Sequence, residues 1–278
     1  MPNVENQAIP ESIIRETKNR AIHKRRMFLL SVISVAVFLI LWQSAVTFRW
    51  VNPKYVASPV QVVETFMQKL SDPKPDGATL GVHIYTSLYL VLVGYLAALV
   101  IGIPLGLVTG YYRVADKLIS TIFEIVRPVP PIAWIPLSVV WLGIGTTAKA
   151  FIIFLAAFVP CVINSYTGIK LTNPVLINVA KTCGASNWKV FTTVCIPAAM
   201  PMVFTGIRVA IGNAWSTLVA AELLAATAGL GYMIQQGRSL IRSDIIIVGM
   251  LTIGVIGAIL LWLLGILENN VIKWRAKR

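Results

Sequence analysis

The segment NVAKTCGASNWKVFTTVCIPAAMP, Asn178 to Pro201, lies between two strongly apolar segments that are each long enough to cross a bilayer. It carries a glycine, a tryptophan, two lysines and two prolines, so it reads as a helical break held outside the membrane. A break of that kind between two spans is a place for another molecule to grip.

The flanking composition supports this reading. Of 278 residues, 57% are hydrophobic and only 13% charged, against about 25% charged in soluble domains, which makes the chain an integral membrane protein. Its net charge of +13 does not point to nucleic acid, because the charges flank apolar runs and show no interleaving with aromatics. Arg15, Lys18, Arg20, Lys24, Arg25 and Arg26 precede the first run, and Lys273, Arg275, Lys277 and Arg278 follow the last. Basic flanks resist translocation, so both termini are expected in the cytoplasm. Cys161, Cys183 and Cys195 form no CxxC pair, and His23 and His83 lie far from them in sequence, so neither a metal site nor a disulfide is expected. Cys161, in an apolar run, reads as a small packing residue.

The expected architecture is all-α with six transmembrane helices, at about 27–47, 85–109, 118–142, 150–169, 202–226 and 245–267. Residues 1–26 form a basic cytoplasmic segment, read either as a short surface helix or as a tail. Residues 27–268 form the membrane domain, with a cytoplasmic loop at 171–201, and 269–278 a basic cytoplasmic end. An outer loop at 51–82 holds a short helix from Val60, and 142–149 and 228–244 read as outer connections. Gly94, Gly102 and Gly106 would let the second span approach a neighbour closely.

Two spans look unsuited to lipid. The third contains EIVRPVPPIAWIP, Glu124 to Pro136, whose prolines remove backbone donors and interrupt the helix. Freed carbonyls at membrane depth are tolerated against protein or a water-filled cavity, so a pathway wall is expected, with a merely kinked packing helix as the alternative. Arg127 lies about 15 Å along a helix from Lys117 and would face a polar cavity or a partner, for which Glu124, one turn earlier, competes. The fifth span carries Arg208, Asn213, Trp215, Ser216, Thr217 and Glu222, too many polar groups for a lipid-facing helix.

No GxxxxGK[ST], HExxH, or GxSxG with triad partners occurs, so no motif for ATP binding or hydrolysis is legible and transport is the natural use of such a bundle. Gly184, nine further residues, and then Val194, Ile196 and Pro197 resemble the cytoplasmic loop of ABC-importer permeases, where EAAxxxG precedes IxLP. Asn178, Val179 and Ala180 stand where EAA would. RPVPPIAWIPLSVVWLGIGTTAK (Arg127 to Lys149) and AWSTLVAAELLAATAGLGYMIQ (Ala214 to Gln235) resemble permeases of the nitrate, sulfonate and bicarbonate importers, above all the taurine and aliphatic-sulfonate group.

The resemblance implies a type I importer in the bacterial inner membrane: a homodimer of this chain, two cytoplasmic ATPase subunits and an external substrate-binding protein. ATP and magnesium would be held by the ATPase, with no cofactor in this chain. It implies ATPase coupling through Ala180, Gly184, Ala185, Ser186, Trp188 and Pro197, with Gly184 allowing the turn and Trp188 either anchoring in a groove or serving as an interfacial aromatic. The implied substrate is a small anion, taurine or another organic sulfonate, with nitrate, nitrite or bicarbonate as the alternative. Arg127, Pro130, Trp134, Arg208, Trp215, Ser216 and Glu222 are the candidate pathway residues. Glu222 would repel an anion, so it is expected to pair with an arginine or to contact the binding protein. An autonomous transporter or channel would instead carry an inverted repeat, and none is legible.

Overall fold

The computed structural model describes residues 11–225 and 227–271, and every regular element among them is helical. The chain divides into two compact units, 1–63 and 64–278.

In the first unit, α1 (Glu11–Thr47) is one helix of 37 residues, about 55 Å long at 1.5 Å per residue. Its apolar part, Arg26–Thr47, is long enough to span a bilayer. The expected separate surface helix or tail before Met27 is corrected for the part the structure describes. No glycine or proline interrupts Glu11 to Thr47, so the helix simply continues through the basic stretch. Residues 1–10 of that segment lie outside the described residues. The indole N–H of Trp42 donates to the Ala57 carbonyl (3.1 Å) and ties the returning chain to α1. The next helix, α2 (Pro59–Ser71), starts with a reciprocal cap. Gln61 N donates to Ser58 Oγ (3.3 Å), and Ser58 N to Gln61 Oε1 (3.0 Å).

The second unit is built on three long helices, α3 (Leu80–Tyr111), α6 (Thr146–Lys170) and α9 (Ile196–Ala225), with α6 packed against the other two. Close approach explains the glycines. A Cβ at Gly106 of α3 would collide with the backbone carbonyl of Val162, and one at Gly206 of α9 would stand 2.7 Å from Asn164 Cβ. In lipid, where apolar surface alone does not drive helices together, such backbone proximity supplies dispersion contact. Cys161 is buried where α6 faces Gly102, the packing role its apolar surroundings predict.

Between α3 and α6 the expected third span is broken. α4 (Arg113–Val126) ends at the Arg127–Pro130 turn, and a 3₁₀ turn over Pro131–Trp134 leads into α5 (Ile135–Leu142), 84° away from α4. The described helices therefore include five that are long enough to cross a membrane, or six if the bent pair counts as one. The interruption expected within 118–142 is present, and for the expected reason: Pro128, Pro130 and Pro131 cannot donate to the helical ladder. Pro136 stands in the first turn of α5, where no donor is needed.

The expected loop over 171–201 is also corrected. Only 171–186 departs from a long helix, through α7 (Pro174–Thr182) and the turn after it; from α8 (Asn187–Val190) onward the chain runs helically into α9. Pro197 is accommodated by a π turn over Phe191–Cys195, in which Ile196 N reaches back to Phe191 O and the lost donor is absorbed. The connection after α9 contains α10 (Leu230–Ser239) and leads to α11 (Ser243–Val271), which packs against α10 and α9. Of the basic C-terminal segment, residues 272–278 lie outside the described residues.

Candidate functional site

Three local arrangements carry chemistry, and the α3 and α9 helices separate two of them by the length of a span. The first is the turn between α7 and α8. Gly184 has φ +80°, a conformation that side chains with a Cβ resist. Its N–H donates to Lys181 O (2.9 Å), and that of Ala185 to Ala180 O (3.0 Å), the paired bonds of a Schellman end. Ser186 then caps α8 by accepting from Lys189 N (3.3 Å). Ala180 and Ala185 pack beneath the turn on a cluster of Leu107, Ile169, Val190, Phe191, Cys195, Ala199 and Val203, where α3, α6 and α9 meet. Tyr111 Oη donates to Asn187 O (2.9 Å) and its ring lies 4.9 Å from that of Phe191, so the turn is bound firmly to the span ends.

Among the described residues, the opposite side of this turn has no such partner. Trp188 is 65% exposed, with only Phe191 beneath its ring (5.8 Å), and Leu171, Val175, Leu176 and Val179 are all more than half exposed. Pro197 is exposed on the following helix. The aliphatic members were missed by motif reading, although Val175, Leu176 and Val179 recur at the spacing of one helical face of α7, with Leu171 in the turn before it.

The second arrangement lies at the broken helix. A cavity of about 210 Å³ is lined by Thr109, Ser120, Glu124, Arg127, Tyr166 and Thr167 among others. Arg127 also borders a second, of about 190 Å³, with Trp134 and Asn213. Pro130, at the break, is exposed. The Glu124–Arg127 pair, the competing explanation for Arg127, does not form: among the described residues no salt bridge joins them. Other pathway candidates stand elsewhere. Arg208 is bound by Glu268, an ion pair from α9 to α11. Trp215 is buried, its indole N–H donating to Ile253 O of α11 (3.0 Å). Ser216 is exposed and donates to Gly212 O of its own helix (3.0 Å).

The third is a buried polar chain at the start of α3 and the end of α9. Glu222, 1% exposed, accepts from Ser87 Oγ (2.7 Å) and Gly231 N (2.8 Å). Ser87 Oγ accepts from Leu230 N (2.8 Å), and His83 Nδ1 from Gly229 N (3.0 Å). The acceptor role of Nδ1 places the proton of the neutral ring on Nε2, 3.2 Å from Asp76 Oδ2. Asp76 is bound in turn by Lys69, whose ammonium also donates to Ala78 O (2.8 Å). The expected pairing of Glu222 with an arginine is thus corrected. A hydroxyl and a backbone amide hold it, and Lys149 is the cation acting on it.

A bundle of long apolar helices with a broken span, paired charges inside it and a rigid apolar-faced turn at one end is the framework of a membrane transport subunit. The chain belongs to the family of binding-protein-dependent transport system inner membrane components, whose model matches residues 102–275. It is a multi-pass inner-membrane protein and a permease subunit of that class. It is 35% identical to the taurine transport system permease protein of Escherichia coli (strain K12) over 93% of this chain and 98% of that one. It is 33% identical to the nitrate import permease protein of Synechocystis sp. (strain PCC 6803), over 88% and 90%. It is 28% identical to a putative aliphatic sulfonates transport permease protein of Bacillus subtilis (strain 168), over 96% and 95%.

Proposed function

We propose that this chain is the permease subunit of an ATP-driven importer of a small organic sulfonate, with taurine foremost. It works as a homodimer with two cytoplasmic ATPase subunits, which hold the ATP and magnesium, and receives substrate from an external binding protein. Its termini and the α7–α8 turn face the cytoplasm. The observation that carries the coupling role is the exposed apolar face of Leu171, Val175, Leu176, Val179 and Trp188 on a turn whose underside is bonded to α3, α6 and α9. A patch outside the spans that is exposed and rigidly backed suits a partner groove, and force applied there reaches three long helices at once. Ala180, Gly184, Ala185 and Ser186 shape the turn, Trp188 is its anchor, and Pro197 sits where it joins the span.

Arg127 and Trp134, beside the cavities at the helix break, form the pathway wall, with Pro130 supplying the break itself. Arg208, Trp215 and Glu222 act further along by holding α9 to its neighbours, and Ser216, exposed on the same helix, lines the path. Uptake of labelled taurine, ethanesulfonate and nitrate by cells expressing the chain with its ATPase and binding protein tests the reading. ATP-dependent accumulation of the sulfonates is expected, and accumulation of nitrate alone would overturn it. The 33% identity to a nitrate permease over most of both chains makes nitrate, nitrite or bicarbonate the second reading.

A further inference from the structure

α4 is divided lengthwise. Val114, Leu118, Ile122 and Ile125, each at least 66% exposed, form one face, and Asp116, Ser120, Glu124 and Arg127 recur at the same helical spacing on another. Asp116 is fully employed: it accepts from Ser120 Oγ (2.8 Å), Tyr166 Oη (3.3 Å) and Lys170 Nζ (3.0 Å). Eleven residues further on, about 16 Å along the helix, the stripe ends in a glutamate and an arginine three positions apart. Side chains at that spacing are neighbours and usually pair when opposite in charge. Here Glu124 and Arg127 line the same cavity, and among the described residues neither takes part in a salt bridge or a side-chain hydrogen bond. Two opposite charges with no partners among the described residues, at the bend of a candidate broken span, are costly in a bilayer unless something polar occupies the space between them.

Resting on the sulfonate reading above, we infer that Glu124 and Arg127 form a two-charge subsite that selects a zwitterion. Arg127 receives the sulfonate oxygens, for which a guanidinium offers several donors in fixed geometry, and Glu124 receives the ammonium. The cavity of about 210 Å³ has room for roughly seven waters at ~30 Å³ each, and so for a solute with a comparable number of heavy atoms, such as taurine. A simple anion gains from Arg127 and is opposed by Glu124, so the pair discriminates against nitrate by repulsion as well as in favour of the aminosulfonate by attraction.

Calorimetric titration of the assembled permease–ATPase complex in nanodiscs, without binding protein, tests this with taurine, ethanesulfonate (the same chain without the ammonium) and nitrate. The wild type is expected to bind taurine about tenfold more tightly than ethanesulfonate, the contribution of one charge-assisted hydrogen bond. Glu124→Gln should bring taurine down to the ethanesulfonate level without weakening ethanesulfonate, Glu124→Asp should retain part of the preference, and Arg127→Gln should weaken both sulfonates. An unchanged taurine-to-ethanesulfonate ratio in Glu124→Gln overturns the subsite while leaving sulfonate transport intact, and so does a wild-type complex that binds neither. Nitrate as the sole ligand and sole transported species overturns the sulfonate reading along with it.

Discussion

At the residue scale, Glu222 is tightly constrained. A buried carboxylate is tolerable only when its oxygens are bonded, and here each oxygen accepts one bond, from Ser87 and from Gly231. Ser87 in turn accepts from Leu230 N, so Ser87→Ala strands a buried amide and a carboxylate oxygen together. It should destabilise the purified protein by about 2 kcal/mol, read as a lowered Tm. Gly229, at φ +129°, leaves no room for a Cβ against the Glu222 carboxylate, so Gly229→Ala should be at least as damaging by the same measurement. At the other end, Trp188 is exposed, and among the described residues its ring contact is with Phe191. Trp188→Ala should therefore leave Tm nearly unchanged while weakening ATPase capture by about 2 kcal/mol or more, the loss expected when an aromatic anchor is truncated. A Tm drop with full ATPase capture would contradict its proposed role as an anchor.

At the element scale, the long helices are positioned by what is missing from them. Gly106 lets α3 approach the α6 backbone at Val162, and a bulky replacement must push the two apart along the whole contact. Gly106→Leu should cost about 3 kcal/mol or prevent accumulation of folded protein, measured by thermal unfolding in detergent. Gly184 is different in kind, because open space surrounds its Cβ position and only its φ is restrictive. Gly184→Ala should cost about 1 kcal/mol of stability and reduce ATP-dependent uptake more than that loss explains, because it alters the path of the turn and leaves the core untouched. The glycine was legible from the sequence because a Schellman end is a local device, complete within Ala180 to Ala185. The continuity of α8 and α9 through Pro197 was not, because a π turn leaves no local signature and burial of Phe191 and Cys195 under Tyr111 and Ile169 stabilises it.

At the scale of the whole molecule, the turn and the Glu222 chain occupy opposite ends of α3. Leu107, in the cluster under the turn, is 24 residues from His83, about 36 Å along the helix and comparable with the thickness of a bilayer core. Orientation is testable with the native protein, since Cys183 in the turn is exposed whereas Cys161 and Cys195 are buried. A membrane-impermeant maleimide should label inside-out vesicles and not intact spheroplasts; the reverse pattern would invert the proposed topology. Hydrophobic length alone located the span regions, and four prolines in nine residues located the break, because span length and loss of backbone donors are properties of a few consecutive residues. Charge counting likewise singled out Arg127 and Glu222 as expensive residues in need of partners. Which partners they found was decided by tertiary structure. The chain folded Ser87 and Gly231 against Glu222, set Glu268 on Arg208 and left Arg127 beside two cavities, because the energy of a charge within a helix bundle depends on groups that arrive from distant parts of the sequence.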